Sequence, residues 1–209
     1  MNSPVILTAV SLVAAYLIGS VPAAYIAGRL KKGVDIRQVG SRNMGAMNVF
    51  YKVGFWTGMS VLAFDVGKGA AGVALARWLG VPDIAQLFVG AVVVIGHAFP
   101  VFLRFHGGRG GATCIGILVY LMPWGIPLYL GLFGLLLLLT HYPTLSYSAA
   151  FLGFPFIGAL VYHRWELAIF SVGLPLIPGI KYLPRIKEMY NKGGGWRHVL
   201  LRQNLKDRL

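Results

Sequence analysis

The stretch from residue 110 to residue 163 contains no Asp, Glu, Lys or Arg, and this constrains the fold more than any other feature. A water-soluble domain with one core has no place to bury so long an uncharged stretch, whereas a lipid bilayer accommodates it. Across the whole chain 57% of residues are hydrophobic and 12% are charged. Ordinary soluble domains are about 25% charged. The sequence therefore predicts an integral membrane protein.

Helix-breaking residues divide the apolar sequence into segments near the length of a membrane crossing. A spanning helix needs about 20 apolar residues, and Pro and Gly clusters mark where one ends. We predict an all-α integral membrane protein of about seven transmembrane helices, forming a single polytopic membrane domain over residues 1–209. The predicted helices are Pro4–Gly28, Val53–Leu79, Ile84–Leu103, 112–122, 125–140, 144–162 and Leu167–Ile180. The helix at 112–122 and the last one are short for a full crossing.

The distribution of basic residues predicts the orientation. Most of the 19 Lys and Arg side chains fall in the segment Arg29–Lys52, in the loop that begins at Arg104 and in a basic tail from about residue 181. Cytoplasmic loops carry such an excess, so the N-terminus is expected outside and the C-terminus in the cytoplasm. The net charge of +13 then indicates anionic lipid or an anionic substrate. No nucleic-acid partner is expected, because most of the chain lies in lipid.

A polar loop, Gly40–Asn48, follows the first predicted helix. It offers backbone N–H groups, the Ser41 hydroxyl and the carboxamides of Asn43 and Asn48, all neutral groups suited to phosphate or carbonyl oxygens. The alternative is a glycine turn in which Ser41 or Asn48 caps the next helix. Two asparagines beside a serine are more than a cap requires, which keeps both interpretations open.

A glycine-rich loop, Phe105–Thr113, precedes a helix. Four of its glycines surround Arg109, so the backbone is able to wrap an anion while the guanidinium binds it and the helix N-terminus adds positive potential. The glycines are Gly107, Gly108, Gly110 and Gly111, and Thr113 stands shortly after them. The alternative is a flexible hairpin with one inner-loop cation. The pattern does not satisfy the Walker nucleotide motif.

Asp65 and Lys68 lie inside the second predicted helix. Ionisable groups in a membrane segment tend to face a polar interior, and at a spacing of three residues they share one helix face. They either neutralise one another or contact a substrate. His97, near the inner end of the third helix, either orients a substrate or is a hydrogen-bonded structural residue. The other histidines show no paired ligand spacing, so neither a metal nor any other cofactor is expected.

Several enzyme classes lack their signatures here. The sequence contains no G-x-S-x-G nucleophile elbow and no H-E-x-x-H zinc motif. No histidine is followed five residues later by Asp, which sets aside the coenzyme A-dependent glycerolipid acyltransferases. The six carboxylates are dispersed, which argues against a hydrolase with paired carboxylates.

Residues 16 to 120 carry a series of motifs that occur together, in this order, in one known family. They are Gly19-Ser20-Val21-Pro22, Val34 through Ser41, Asn43, Gly45-Ala46, Asn48-Val49, Asp65 with Lys68-Gly69, Gly96 through Phe102, Gly107 through Gly110, and Ala112-Thr113. In these motifs the chain resembles the bacterial acyl-phosphate:glycerol-3-phosphate acyltransferases, the PlsY-like family. The C-terminal third is similar only in hydropathy.

The resemblance implies a multi-pass enzyme of the bacterial inner (plasma) membrane with its active site on the cytoplasmic face. Its substrates are acyl phosphate and glycerol 3-phosphate, and its product, made for phospholipid synthesis, is lysophosphatidate. We expect the catalytic residues to be Ser41, Asn43, Asn48 and Arg109. The expected substrate and phosphate-binding residues are Gly107, Gly108, Gly110, Gly111, Thr113, His97, Lys52, Lys68 and Asp65.

The chain also departs from the family pattern at several positions. In the first loop Arg42 replaces a glycine, Met47 replaces a threonine, and Tyr51, with Lys52 beside it, replaces an arginine. In the glycine loop Arg109 replaces a lysine, which keeps the charge and changes the geometry, and Gly111 replaces a valine.

The largest departure lies in the tail. The segment Lys181–Lys187 stands where the family has a histidine followed three residues later by Asn-Ile, with Arg185 or His198 as possible substitutes. A paralogue that binds an anionic lipid or phosphorylated alcohol without turnover is therefore an alternative. A small transporter, suggested only by Asp65 and Lys68, is a third.

Overall fold

A computed structural model describes residues 3–193 and Trp196, and all regular secondary structure in that part of the chain is helical. A 3-10 turn, Val101–Leu103, follows the fifth helix. The α-helices are α1 Pro4–Ser20, α2 Ala23–Lys32, α3 Ala46–Lys52, α4 Phe55–Trp78, α5 Asp83–Ala98, α6 Gly111–Leu121, α7 Gly125–Thr140, α8 Pro143–Ala150, α9 Gly153–Leu160, α10 Trp165–Gly173 and α11 Leu176–Gly193.

The predicted class, an all-α multi-pass membrane protein, is confirmed for the described residues. Five helical stretches are long and apolar enough to cross a membrane: Pro4–Lys32, Phe55–Trp78, Asp83–Leu103, Pro143–Leu160 and Trp165–Asn191. Two shorter apolar helices, Gly111–Leu121 and Gly125–Thr140, lie between them in the sequence. These stretches correspond to the predicted segments, while the number of crossings and the orientation remain predictions.

Three of the predicted boundaries are wrong. The first predicted helix breaks at Val21 because Pro22, the next residue, lacks an N–H group and cannot continue the backbone ladder. The segment predicted at 144–162 is two helices, α8 and α9. The segment predicted at Leu167–Ile180 is also two helices, α10 and α11, and the second of these does not end at Ile180 but continues to Gly193. Hydropathy marks the end of an apolar stretch, whereas an amphipathic helix continues past it.

The chain divides into two compact units, Met1–Tyr120 and Leu121–Leu209. Within the first unit, glycines allow the helices to approach closely. A side chain at Gly19 of α1 would overlap the backbone of Val93 in α5, and one at Gly116 of α6 would overlap the backbone of Val66 in α4. Small residues at such contacts are how membrane helices pack. The contact at Gly116 fixes α6, and hence the glycine-rich loop before it, against α4.

The second unit has its own core, built from aromatic side chains. The rings of Tyr129, Phe151 and Phe154 contact one another with centroids 5.7 to 6.5 Å apart. The hydroxyl groups of Tyr142 and Tyr182 are hydrogen-bonded to each other. These contacts hold α7, α8, α9 and α11 together.

Candidate functional site

The first predicted loop, Gly40–Asn48, is organised by the side chain of Asn48, which is buried. Its Nδ2 donates to the carbonyl oxygens of Ile36 at 2.8 Å, Val39 at 3.0 Å and Asn43 at 3.0 Å. Its Oδ1 accepts the backbone N–H of Ser41 at 3.1 Å. The Asn48 carboxamide is thus engaged within the loop, which it holds in shape, and its expected catalytic role remains a prediction.

The Ser41 side chain lies on the exposed side of the same loop. Its hydroxyl makes no hydrogen bond to any residue that the structure describes. The Asn43 side chain is half-buried and lies against Gly45, close enough that a Cβ there would be 2.8 Å from Nδ2. The Ser41 hydroxyl is thus exposed and the Asn43 carboxamide half-buried at this loop, and a catalytic role for either remains a prediction.

Two residues of the loop have left-handed backbone conformations. Gly40 has a φ of +60°, and a Cβ at this position would overlap the Asn48 carboxamide. Arg42 has a φ of +57°, although it carries a side chain. Such a conformation favours glycine, which is what the family has at position 42. Arg42 therefore occupies a backbone conformation that suits the glycine of the family better than an arginine.

An ion-pair cluster braces the chain just before this loop. The Arg37 guanidinium donates to both oxygens of Asp35, at 3.0 and 2.8 Å, and the Arg29 guanidinium lies 3.6 Å from one of them. Both guanidinium groups also lie over the Tyr25 ring, that of Arg29 at 5.4 Å and that of Arg37 at 5.0 Å from its centroid. The hydrogen bonds from Arg37 hold the pKa of Asp35 below its usual value, against the opposing effect of burial.

The glycine-rich loop contacts the first loop at Gly108. The Gly108 N–H donates to the His97 carbonyl at 3.1 Å. A Cβ at Gly108 would overlap both the His97 imidazole and the backbone oxygen of Met44, so the loop passes between them with no room for a side chain. Met44 belongs to the first loop, and Arg109 directly follows Gly108. The two loops predicted to bind anions therefore meet.

The remaining residues of the glycine-rich loop lead into α6. Gly110 has a φ of +97°, and Gly111 is buried at the first position of the helix. Arg109 is half-buried. The Thr113 hydroxyl is buried and has no hydrogen-bond partner within the described part of the chain. The geometry thus turns the backbone sharply beside Arg109, as an anion-binding loop requires.

Asp65, Lys68 and His97 form a buried group, at 2%, 5% and 4% exposure. Lys68 Nζ lies 2.8 Å from Asp65 Oδ1 and donates to the Val21 carbonyl at 3.1 Å. His97 Nδ1 lies 3.5 Å from the same Asp65 oxygen. Asp65 and Lys68 share a face of α4 and form an ion pair, as the first of the two interpretations of the sequence has it. A role of these three residues in substrate binding remains a prediction.

The sequence reasoning missed the Val21 carbonyl as a member of this group. A usable signal was present, because Pro22 interrupts an apolar segment and a buried lysine in another segment is a natural donor at such a break. Lys52, the proposed substitute for the family arginine, is exposed, and its aliphatic chain lies over Gly40. Its ammonium is thus held next to the first loop.

The segment that replaces the family's C-terminal motif lies in the second unit, within α11. Arg185 forms an ion pair of 2.6 Å with Glu188, and Tyr182 bonds to Tyr142, which also donates to Met189 Sδ at 3.4 Å. His198 lies outside the described residues. A replacement of the missing motif by Arg185 or His198 remains a prediction.

Known proteins were compared with the chain as a whole. The sequence model of a family described as glycerol-3-phosphate acyltransferase matches residues 9–192. A protein of Dehalococcoides mccartyi named glycerol-3-phosphate acyltransferase 2 is 51% identical over the full length of both chains. The glycerol-3-phosphate acyltransferase of Desulforudis audaxviator is 37% identical over 83% of this chain and 87% of its own.

A solved structure agrees with these sequence matches. The crystal structure of PlsY, an integral membrane glycerol 3-phosphate acyltransferase, in its glycerol 3-phosphate form superposes with a TM-score of 0.80 at 26% identity, over 88% of this chain and 92% of that one. Its lysophosphatidic acid form gives 0.78 at 25% identity. Family model, full-length relatives and fold coincide, and the chain therefore belongs to the glycerol-3-phosphate acyltransferase family.

Proposed function

We propose that the chain transfers a fatty acyl group from acyl phosphate to the 1-hydroxyl of glycerol 3-phosphate. The bond between the acyl carbon and the phosphate oxygen breaks, and a bond to the glycerol oxygen forms. Lysophosphatidate and inorganic phosphate are released. The observation that carries the proposal is the contact between the Ser41 loop and the Arg109 loop at Met44 and Gly108. It brings two anion-suited loops together in a chain of this family.

The chemistry suits the groups available. An acyl phosphate is a mixed anhydride and already activated, so the protein needs mainly to hold two anions together and stabilise the oxyanion that develops. We assign oxyanion and phosphate contacts to the Ser41 hydroxyl, the Asn43 carboxamide and the backbone N–H groups of residues 107–111. The hydroxyl proton passes to a phosphate oxygen of a substrate. Asn48 acts by holding the first loop in shape.

Arg109 is assigned to a substrate phosphate. A guanidinium binds a phosphate through two parallel hydrogen bonds, which compensates for the lysine that the family has here. Lys52 adds a second positive charge beside the first loop, in place of the missing arginine. By the positive-inside rule, the basic residues near both loops favour a site on the cytoplasmic face of a bacterial inner membrane.

Purified protein in lipid nanodiscs tests the proposal. Acyl phosphate and labelled glycerol 3-phosphate are supplied, and labelled lysophosphatidate is measured. We expect Arg109→Ala to raise the KM for glycerol 3-phosphate or abolish turnover, and Arg109→Lys to retain activity. Arg77→Ala is a matched control, because Arg77 is exposed in the last turn of α4. Wild-type kinetics in Arg109→Ala would reject the phosphate assignment.

The alternative, a protein that binds an anionic lipid or phosphorylated alcohol without turnover, has one observation in its favour. The segment Lys181–Lys187 lacks the family's polar motif, and two of its side chains are engaged within the second unit, Tyr182 with Tyr142 and Arg185 with Glu188. Calorimetric binding of glycerol 3-phosphate with no lysophosphatidate formed would favour this alternative. The transporter interpretation loses its support, because Asp65 and Lys68 are buried and paired with each other.

A further inference from the structure

The break between α1 and α2 is tied to a neighbouring helix by one lysine. The Val21 carbonyl at this break accepts the N–H of Ala23 at 3.2 Å and the ammonium of Lys68 at 3.1 Å. Pro22 contributes no donor. Within a membrane, backbone groups at an interrupted helix are satisfied by neighbouring helices, and here α4 does so. The Lys68 ammonium is therefore fixed at one place.

The carboxylate of Asp65 connects that ammonium to His97. One carboxylate oxygen lies 2.8 Å from Lys68 Nζ and 3.5 Å from His97 Nδ1. A carboxylate that faces an imidazole nitrogen favours a proton there and fixes the orientation of the ring. Because all three residues are buried, water does not compete for these contacts.

His97 in turn contacts the glycine-rich loop through both its backbone and its ring. Its carbonyl accepts the Gly108 N–H at 3.1 Å. Its Nε2 faces the Cα of Gly108 so closely that a Cβ would overlap it, and a Cβ at Gly107 would overlap the His97 carbonyl. The loop and the imidazole therefore cannot move independently, and Arg109 follows directly in the chain.

We infer that Asp65, Lys68 and His97 are positioning residues, which set the place of the glycine-rich loop and of Arg109 without touching a substrate. The order of contacts runs from the α1–α2 break through Lys68, Asp65 and His97 to Gly108. The effect on turnover rests on the proposed function, whereas the effect on the loop does not.

The test removes the two buried charges of Asp65 and Lys68 together. The double variant Asp65→Asn/Lys68→Met leaves no unpaired buried charge, so it is expected to fold better than either single variant. It is nevertheless expected to show faster amide hydrogen exchange in residues 107–111 and a KM for glycerol 3-phosphate raised about tenfold. The control Arg164→Gln/Glu166→Gln removes the ion pair between those two residues in the second unit and should change neither quantity.

Two outcomes decide the inference. If the double variant is more stable than either single variant and also shows wild-type exchange in 107–111 and a wild-type KM, the buried group is only structural and the inference is overturned. His97→Asn provides a second variant, because its amide nitrogen is able to replace Nδ1 opposite Asp65 but leaves Gly108 without the ring. It should raise exchange in the same residues. If the wild type forms no lysophosphatidate, the proposed function fails, and the exchange measurement still decides the positioning.

Discussion

The carboxamide oxygen of Asn48 accepts the backbone N–H of Ser41 at 3.1 Å, so one residue shapes the first loop and another presents its hydroxyl. The nitrogen of the same carboxamide donates to three backbone carbonyls, those of Ile36, Val39 and Asn43. Under the proposed function, the shape of the loop and the contact with substrate depend on different side chains, and substitutions should separate them.

Asn48→Asp should disrupt the loop, whereas Ser41→Ala should not. The aspartate keeps the size of the side chain but replaces the donor nitrogen with oxygen, so the carbonyls of Ile36 and Asn43 lose this donor, whereas that of Val39 still accepts the Arg42 N–H. Each carbonyl left unpaired costs about 1–3 kcal/mol. We expect Asn48→Asp to lower both the thermal stability in detergent and the turnover, and Ser41→Ala to lower turnover alone. Equal melting temperatures for Asn48→Asp and the wild type would contradict this division.

Replacing Arg42 with glycine should relieve backbone strain in the folded protein. Its φ of +57° costs a residue with a side chain about 1 kcal/mol. The comparison that isolates this cost is Arg42→Gly against Arg42→Ala, because both variants lose the same side-chain contacts. We expect the glycine variant to be more stable by about 1 kcal/mol in thermal denaturation. An alanine variant of equal or greater stability would show that the loop relaxes out of this conformation.

The contact between the two loops should tolerate no side chain at Gly108. In Gly108→Ala the new methyl group would overlap the His97 ring and the Met44 carbonyl. The loops must then separate, and a displacement of this size typically costs one to two orders of magnitude in rate, so we expect turnover to fall at least about tenfold. Gly67→Ala on α4 is the control, since a Cβ there meets no atom within 4 Å. Turnover near the wild-type rate in Gly108→Ala would dismiss the contact as irrelevant to the reaction.

The fold was largely predictable because lipid requires long apolar helices, and hydropathy records that requirement directly. The positions at which the helices break were less predictable. Pro22 interrupts a stretch that remains apolar on both sides, and α11 continues past Ile180 because its later turns are polar on one face. Hydropathy contains neither signal. A proline inside an apolar run deserves more weight than its neighbours' hydropathy.

The residues of the candidate site were predictable from the sequence, but which of them shape the loop and which face a substrate was not. Glycines around an arginine and asparagines beside a serine indicate anion-suited loops, and both loops are where the sequence places them. Whether Asn48 faces a substrate or its own loop depends on which carbonyls the folded chain brings within reach. The contact of Met44 with Gly108 likewise depends on the packing of α4, α5 and α6, which no local pattern encodes.

Acid should weaken the ion pairs that Asp35 forms with Arg29 and Arg37. Hydrogen bonds from Arg37 hold the pKa of Asp35 below its usual value, so the carboxylate stabilises the folded state at pH values above the unfolded pKa of about 4. That contribution is lost as the pH falls through the lower, folded pKa. We expect Asp35→Asn to melt at a lower temperature than the wild type at pH 7. The difference should begin to shrink as the pH falls below about 4, where the unfolded chain takes up a proton that the folded protein still excludes, and it should vanish once the pH is below the folded pKa. Melting temperatures in detergent across this range provide the measurement, and a difference that stays constant with pH would show that Asp35 acts through packing rather than charge.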